Sequence, residues 1–336
     1  MALKEDNELQ ILRQLFNNLN PEKKKAFLNS IKTKDKNVEV PLSLQPIKTK
    51  CPFCGSEHIV KNGTAKGTQR LLCRDCHKTF SHVKNTVFAR SKYSLSTWKL
   101  YVECMLNKFS IRKCAKECNI SVPTAFYWRH KILDALREDM GATSLNGVVE
   151  ADETFTLLSF KGSRHLPRKA HHRGTPATKR GLSKEQVCIP CGVNLEGQSV
   201  GKISNLGKPS LKDLQKVLTN RVTKGSVFVT DSLRPYQKIS LDMDLTHIRI
   251  PRKHHSVGNF NINTVNNYHK QFKELIIGRF HGVSTKYLNN YLAYNQYVNF
   301  AKGSEEEKQN RIEALLIATS FSKNIKQLTN RPAVPV

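Results

Sequence analysis

The residues best suited to chemistry are two aspartates, each delivered by an apolar run of strand character. Residues 148 to 155 read Val-Val-Glu-Ala-Asp-Glu-Thr-Phe, and Ser226-Val227-Phe228-Val229-Thr230 leads into Asp231 and the breaker group Ser232 to Pro235. Alternation puts Val148, Glu150 and Asp152 on one face of the first strand and Val149, Ala151 and Glu153 on the other. If the two strands are neighbours, Asp152 and Asp231 can share divalent cations, and a pair of hard oxygen donors on a rigid sheet suits Mg²⁺ (or Mn²⁺) and in-line phosphoryl transfer. The third donor is expected on a helix over residues 262 to 278. There Asn266 and Lys273 lie about 10.5 Å apart along the axis and within about 20° of one azimuth, with Lys270 beside them. The Asn266 amide oxygen could complete the metal shell and Lys273 could hold a phosphate; Asn263, about one turn earlier, is the alternative amide. Glu150, sharing a face with Asp152, could supplement them.

A second constellation is built from sulfur. Cys51-Pro52-Phe53-Cys54 and Cys73-Arg74-Asp75-Cys76 are two knuckles, separated by a hairpin pattern of His58-Ile59-Val60, a turn at Asn62-Gly63, and Arg70-Leu71-Leu72. Such a hairpin brings two thiolate pairs onto one tetrahedral Zn²⁺, with His58 or His77 as a variant ligand. A module this small buries little apolar surface, so it should unfold without its metal. Lys61, Lys66, Arg70, Arg74 and Lys78 leave both a DNA-phosphate contact and a purely structural role open. Cys114 and Cys118 share a helix face and read as core thiols. Cys188 and Cys191 lie in one strand and point to opposite faces, which argues against a second knuckle.

The elements that must position these residues belong to a chain of 336 residues, enough for two or three domains. Lys and Arg outnumber Asp and Glu by 55 to 27, and the resulting +28 charge is costly by self-repulsion unless a polyanion offsets it. Nucleic acid is therefore the expected partner, double-stranded DNA in particular. No run approaches the roughly 20 apolar residues of a membrane span, and Met1 to Asn7 is charged with no apolar signal region. Cysteines clustered for metal binding in a chain without an export signal point to a reducing cytoplasm.

Residues 1–47 read as two small helices and a charged linker, and residues 48–83 as the zinc ribbon. Residues 92–140 read as three helices: one capped near Ser94, one over Ser110 to Cys118, and one starting near Val122 after the turn Asn119-Ile120-Ser121. The last two match a DNA-binding helix-turn-helix, with Arg129, His130 and Lys131 on the second. Residues 146–300 form the α/β catalytic region. Its acid-free stretch from Lys161 to Leu182 carries Arg168, Lys169, Arg173, Lys179 and Arg180 and reads as a disordered or DNA-ordered phosphate clamp, with a second basic loop at Arg252 and Lys253. Residues 301–336 supply a last helix and a tail.

The ordered set of zinc ribbon, helix-turn-helix (Ser121-Val122-Pro123-Thr124-Ala125-Phe126-Tyr127-Trp128-Arg129-His130), Glu150-Ala151-Asp152-Glu153-Thr154, Val229-Thr230-Asp231-Ser232, and Asn263-Thr264-Val265-Asn266 with Lys273 and Gly282-Val283-Ser284 resembles the zinc-ribbon DDE transposases of bacterial insertion sequences. Asn266 stands where relatives commonly carry Glu, so the chain is similar to the Asp-Asp-Asn-Lys subgroup. The resemblance implies a multidomain protein with an RNase H-like catalytic domain. Asp152, Asp231 and Asn266 would be its Mg²⁺ ligands and Lys273 would position DNA. It further implies two-metal cleavage and strand transfer at transposon ends and target, a homo-oligomer on DNA, and a nucleoid-associated place in the cytoplasm. The alternatives are a catalytically inactive domesticated transposase acting as a DNA-binding protein, which Asn266 favours, and a structure-specific nuclease.

Overall fold

The first strands among the described residues are three short antiparallel ones: β1 (Ile59–Ala65), β2 (Thr68–Cys73) and β3 (Thr79–Ser81). The computed structural model describes residues 22, 50–65, 68–81, 83–84, 86–170, 172, 176–318 and 324–335. The helices expected over residues 1–47 lie outside these, Glu22 excepted. Asn62-Gly63 is not the hairpin turn. β1 runs through it, the register slips between Lys61 and Thr64, and Gly63 takes a φ of +63° that accommodates the bulge. Cys51, Leu71, Cys73 and Phe80 form a small core belonging to this ribbon alone.

Three helices follow, each opened by a serine. In α1 (Leu95–Leu106), α2 (Ile111–Glu117) and α3 (Val122–Asp139), the side chains of Ser94, Ser110 and Ser121 accept N–H bonds from Thr97, Lys113 and Thr124, each at 3.2 Å. The α2–α3 pair does have the short connection of a helix-turn-helix, with Asn119 at a φ of +49°. Helix α3 is exposed in its first turn, at Val122 and Pro123, and again in its last, at Glu138 and Asp139. Ala125, Trp128, Arg129, His130 and Ile132 to Leu136 are all buried, with Trp128 stacked on Trp98 of α1 at 3.8 Å between ring centroids.

Residues 146–300 build a mixed sheet between helices. Its central strand β4 (Val148–Leu157) pairs antiparallel with β5 (Gln186–Asn194), which carries β6 (Ser199–Gly201) and the short β7 (Asn205–Leu206). The other edge of β4 pairs in parallel with β8 (Val227–Thr230), which carries β9 (Thr246–Arg249). The spatial order is β6-β5-β4-β8-β9. Helices α4 (Leu211–Leu218) and α5 (Pro235–Asp242) cover one face, where Val149, Ala151 and Phe228 meet Leu214, Leu218, Tyr236 and Ile239. A two-stranded hairpin, β10 (Ser256–Val257) and β11 (Phe260–Asn261), precedes α6 (Asn263–Lys273), which continues as a π-helical turn over Glu274–Arg279.

The opposite face is covered by α6 and α7 (Leu288–Asn295), the latter also continuing into a π-helical turn. Beyond them lie α8 (Glu305–Ala318) and α9 (Ile325–Thr329). One continuous core joins Val187, Ile189, Cys191 and Val193 of β5 to α6 and α7, and then to α1, α2, α3 and α8. The expected boundaries near 140–146 and at 301 therefore separate sequence segments but not packing units. The buried Asp134 carboxylate of α3 fastens the two ends further, receiving Asn290 Nδ2 at 2.9 Å and the Arg331 guanidinium. Among the described residues, no helix is long and apolar enough to cross a membrane.

Candidate active site

Asp152 sits midway along β4 and Asp231 just beyond the end of β8. The parallel register pairs Ala151 with Thr230, so the next residue on each strand is one of the two aspartates. They interact: burial pushes the Asp152 carboxyl up to about 6, the Asp231 charge adds to this, and the Lys273 ammonium and the Glu153 backbone N–H oppose it. Asp231 Oδ1 accepts the Leu233 backbone N–H at 2.9 Å, which orients the carboxylate as the chain leaves the sheet. Glu153, directed to the other face, is pushed up to about 7 by burial, with the Asp152 and Asp231 charges adding; its Oε1 accepts the Tyr236 hydroxyl at 2.6 Å.

Helix α6 lies over Asp152. Its buried face is Val265, Tyr268, His269 and Phe272, while Asn263, Asn266, Lys270 and Lys273 are exposed. His269 Nδ1 stands 3.9 Å from Asp152 Oδ2. This is not an ion pair, since burial and the Lys273 charge hold the imidazole down at about 4 and therefore neutral. At 100° per residue, Asn266 and Lys273 lie about 40–60° from His269 on the flank of that face, whereas Asn263 is turned about 60° further away. The helix thus carries Asn266 and Lys273 on one flank with Asn263 further round, and the Lys273 charge reaches Asp152. His269 was missed from sequence because a histidine among apolar neighbours reads as core. Only its position between Asn266 and Lys273 on one face could have drawn notice.

Glu150 is also placed differently from the sequence expectation. It shares a face with Asp152, but both its oxygens are taken: Oε1 accepts Thr264 Oγ1 at 2.8 Å and Oε2 accepts the Val265 backbone N–H at 2.9 Å. Both of these bonds come from the start of α6, so the carboxylate is turned toward that helix.

The residues expected to contact DNA divide sharply. Arg129 and His130 are corrected: they are 0% and 1% exposed. The Arg129 guanidinium donates to the Phe109 carbonyl at 2.8 Å and lies over the rings of Phe280 and Tyr294, and His130 stacks on Tyr287 at 3.9 Å. Neither can reach a phosphate, because each fills the interface between α3 and α7. Lys131 is half-buried, its ammonium disfavoured by burial and by Arg90. Arg168, Lys169, Lys179, Arg180, Arg252 and Lys253 are exposed, and Arg173 lies outside the described residues. The acid-free loop is nonetheless tethered. Glu185 accepts the Thr178 and Lys179 backbone N–H groups at 2.7 and 3.1 Å, and Lys161 Nζ donates to the carbonyls of Phe280, His281 and Gly282.

The four ribbon cysteines converge as expected. Cys51 and Cys76 sulfurs are 3.6 Å apart, as are those of Cys54 and Cys73, and all four lie within 4.8 Å of one another. A tetrahedron with Zn–S bonds of about 2.3 Å has edges of roughly 3.8 Å, so the donor set and spacing fit Zn²⁺. Without a cation the four thiols divide: the Cys76 and Asp75 backbone N–H groups pull Cys73 down to about 6 and Cys51 is lowered as well, while Cys54 is pushed up to about 12 and Cys76 is raised. His58 is bonded to Asp75 at 3.1 Å and is not turned to the sulfurs. Cys188 and Cys191 are both buried in β5, and Cys104, Cys114 and Cys118 in the helical core.

Residues 144–298, which contain both aspartates and all of α6, match the family model of the ISXO2-like transposase domain. Over 196 residues, 57% of its length, the chain is 30% identical to an uncharacterized protein in transposable element ISH50 of Halobacterium salinarum, and it spans 65% of that protein's length. The carboxylate pair and the helix above it therefore lie in a segment similar to a transposase domain.

Proposed function

We propose that the protein is a DNA transposase of the Asp-Asp-Asn-Lys type, binding insertion-sequence ends and catalysing divalent-metal-dependent phosphodiester cleavage and strand transfer on an RNase H-like domain. The observation that carries this reading is the juxtaposition of Asp152 and Asp231 on adjacent parallel strands, beneath the helix that bears Asn266 and Lys273. The strand order, with three antiparallel strands followed by two parallel ones on the far side of the first, supports the RNase H-like assignment.

The donor set fits magnesium. Two carboxylates are close enough for the Asp231 charge to raise the Asp152 carboxyl, and a cation shared between them would reverse that repulsion. Asp152, Asp231 and the Asn266 amide oxygen would hold it. Magnesium bound there supplies a lowered pKa for an attacking water or 3′-hydroxyl and charge stabilisation for the leaving oxygen. The rest falls to the chain. Leu233 N–H keeps Asp231 oriented, neutral His269 excludes water from behind Asp152, and Lys273 offers a cation to a phosphodiester oxygen. No protein nucleophile is required. The exposed cations Arg168, Lys169, Lys179, Arg180, Arg252 and Lys253 would track DNA phosphates, the four-cysteine ribbon would carry structural Zn²⁺, and the working form would be a homo-oligomer on DNA.

The test is a terminal-repeat duplex incubated with protein and Mg²⁺ or Mn²⁺. Wild type should nick the end and join the freed 3′-hydroxyl to a second DNA, while Asp231→Asn should lose both steps at unchanged or raised DNA affinity. Full joining by Asp231→Asn would remove that residue from the mechanism. The neutral amide at Asn266 favours a second reading, an inactive DNA binder, and end binding without cleavage under any divalent ion would establish it. Cleavage without joining would leave a nuclease.

A further inference from the structure

The first turn of α6 has no cap of its own making. Ile262 precedes it and offers no side-chain acceptor, although the first four N–H groups of a helix lack intrahelical partners. Asn261 Oδ1 takes the Asn263 N–H at 2.9 Å. The next donors go to a different element: Thr264 Oγ1 and Val265 N bond to the two oxygens of Glu150, a carboxylate on β4 whose residue is 3% exposed. A central strand thus caps a helix that arrives more than a hundred residues later in the chain.

We infer that Glu150 is a positioning residue for the metal site: its two-pronged hold on Thr264 and Val265 sets the register of α6 against β4, and so the place of Asn266 relative to Asp152. Glu150 and Asp152 are two positions apart on one face of β4, about 6.7 Å along the strand. On the helix, Asn266 directly follows Val265, and His269 comes one turn after it, opposite Asp152. The clamp and the site are therefore joined by two rigid spacings, one along a strand and one along a helix. Both carboxylate oxygens face donors, which fixes the helix in translation and in rotation about the contact; a single bond would leave the rotation free. Glu150 is assigned no direct contact with metal or substrate. It acts through α6, and this assignment rests on the reading of Asp152, Asp231 and Asn266 as a metal site.

The experiment is Mn²⁺ titration of the full-length, zinc-loaded protein, followed by electron paramagnetic resonance, with thermal melts on the same samples. Asp231→Asn identifies which Mn²⁺ belongs to the active site. Glu150→Ala is expected to weaken that Mn²⁺ by tenfold or more in protein that remains folded, and Thr264→Val, which removes one prong, should weaken it less. Glu150→Gln, which keeps one acceptor, should fall between wild type and Glu150→Ala. A lowered melting temperature with Mn²⁺ affinity equal to wild type would make Glu150 a structural cap and overturn the inference. Should Glu150→Ala fail to fold, Thr264→Val and Glu150→Gln decide it: unchanged affinity in both overturns it. If wild type holds no Mn²⁺ that Asp231→Asn removes, the metal reading itself fails, a different result from an active-site ion indifferent to Glu150.

Discussion

Asp152 and Asp231 were legible in the sequence because each interrupts or ends an apolar strand run, where an acid is out of place unless something positive meets it. Arg129 and His130 were misread for a related reason: cations on the second helix of a helix-turn-helix look like phosphate contacts. The missed signal was their spacing. Arg129 falls inside the roughly 140° arc of buried Ala125, Trp128, Ile132, Leu133 and Leu136, and His130 about 60° beyond its edge, toward buried Asp134. Arg129→Ala should therefore behave as a core deletion, costing on the order of 3 kcal/mol in a urea melt, with DNA affinity of the folded protein unchanged. A selective loss of DNA affinity at wild-type stability would contradict its burial.

His130 makes a prediction about pH. Burial, and then the charges of Arg331, Arg129 and Lys286, hold its imidazole well below the ordinary 6.5. The unfolded chain takes up a proton near 6.5 and the folded chain does not, so stability is full above that value. It declines as pH falls from there toward the lower folded pKa, at up to about 1.4 kcal/mol per pH unit. His130→Phe, which keeps a ring between Phe126 and Tyr287, should flatten the drop in melting temperature between pH 7.5 and 5. An equally steep drop in the variant would assign it to other groups.

At the scale of elements, the convergence of the four cysteines followed from their spacing, since a hairpin between two Cys-x-x-Cys knuckles brings the pairs together. Its core of Cys51, Leu71, Cys73 and Phe80 includes two of the proposed ligands, so it has little to hold it without metal. Chelation should therefore expose residues 51–81 to hydrogen exchange while β4, β5 and α6 stay protected, because the ribbon core is separate from both others. Loss of protection throughout would show that the ribbon supports the sheet domain. The Asn62-Gly63 pair misled because the same dipeptide that makes a two-residue turn also makes a bulge, and only the cross-strand partners decide which. Helix α6 was expected to run to residue 278; its α-helical part ends at Lys273 and a π-helical turn completes it.

For the whole molecule, the hydrophobic periodicity located most elements but not their grouping. Segment 92–140 reads as a module of its own, yet its helices share a core with β5, α6, α7 and α8, a relation between residues far apart in sequence that no local pattern encodes. A charge of +28 implied a polyanion without saying which cations meet it. The exposed set narrows that to the loops, so replacing Lys179, Arg180, Arg252 and Lys253 together by Ala should lower the slope of log affinity against log salt by about 3.6 if each neutralises one phosphate. An unchanged slope would place the DNA path elsewhere.

The arrangement on which the functional reading depends is a divalent cation held jointly by Asp152 and Asp231 beneath α6. Anomalous scattering from crystals soaked in Mn²⁺ measures this directly. A peak should lie between the two carboxylates, within coordinating reach of Asn266, and vanish in Asp231→Asn. No peak there at millimolar Mn²⁺, with or without bound DNA, would contradict the site.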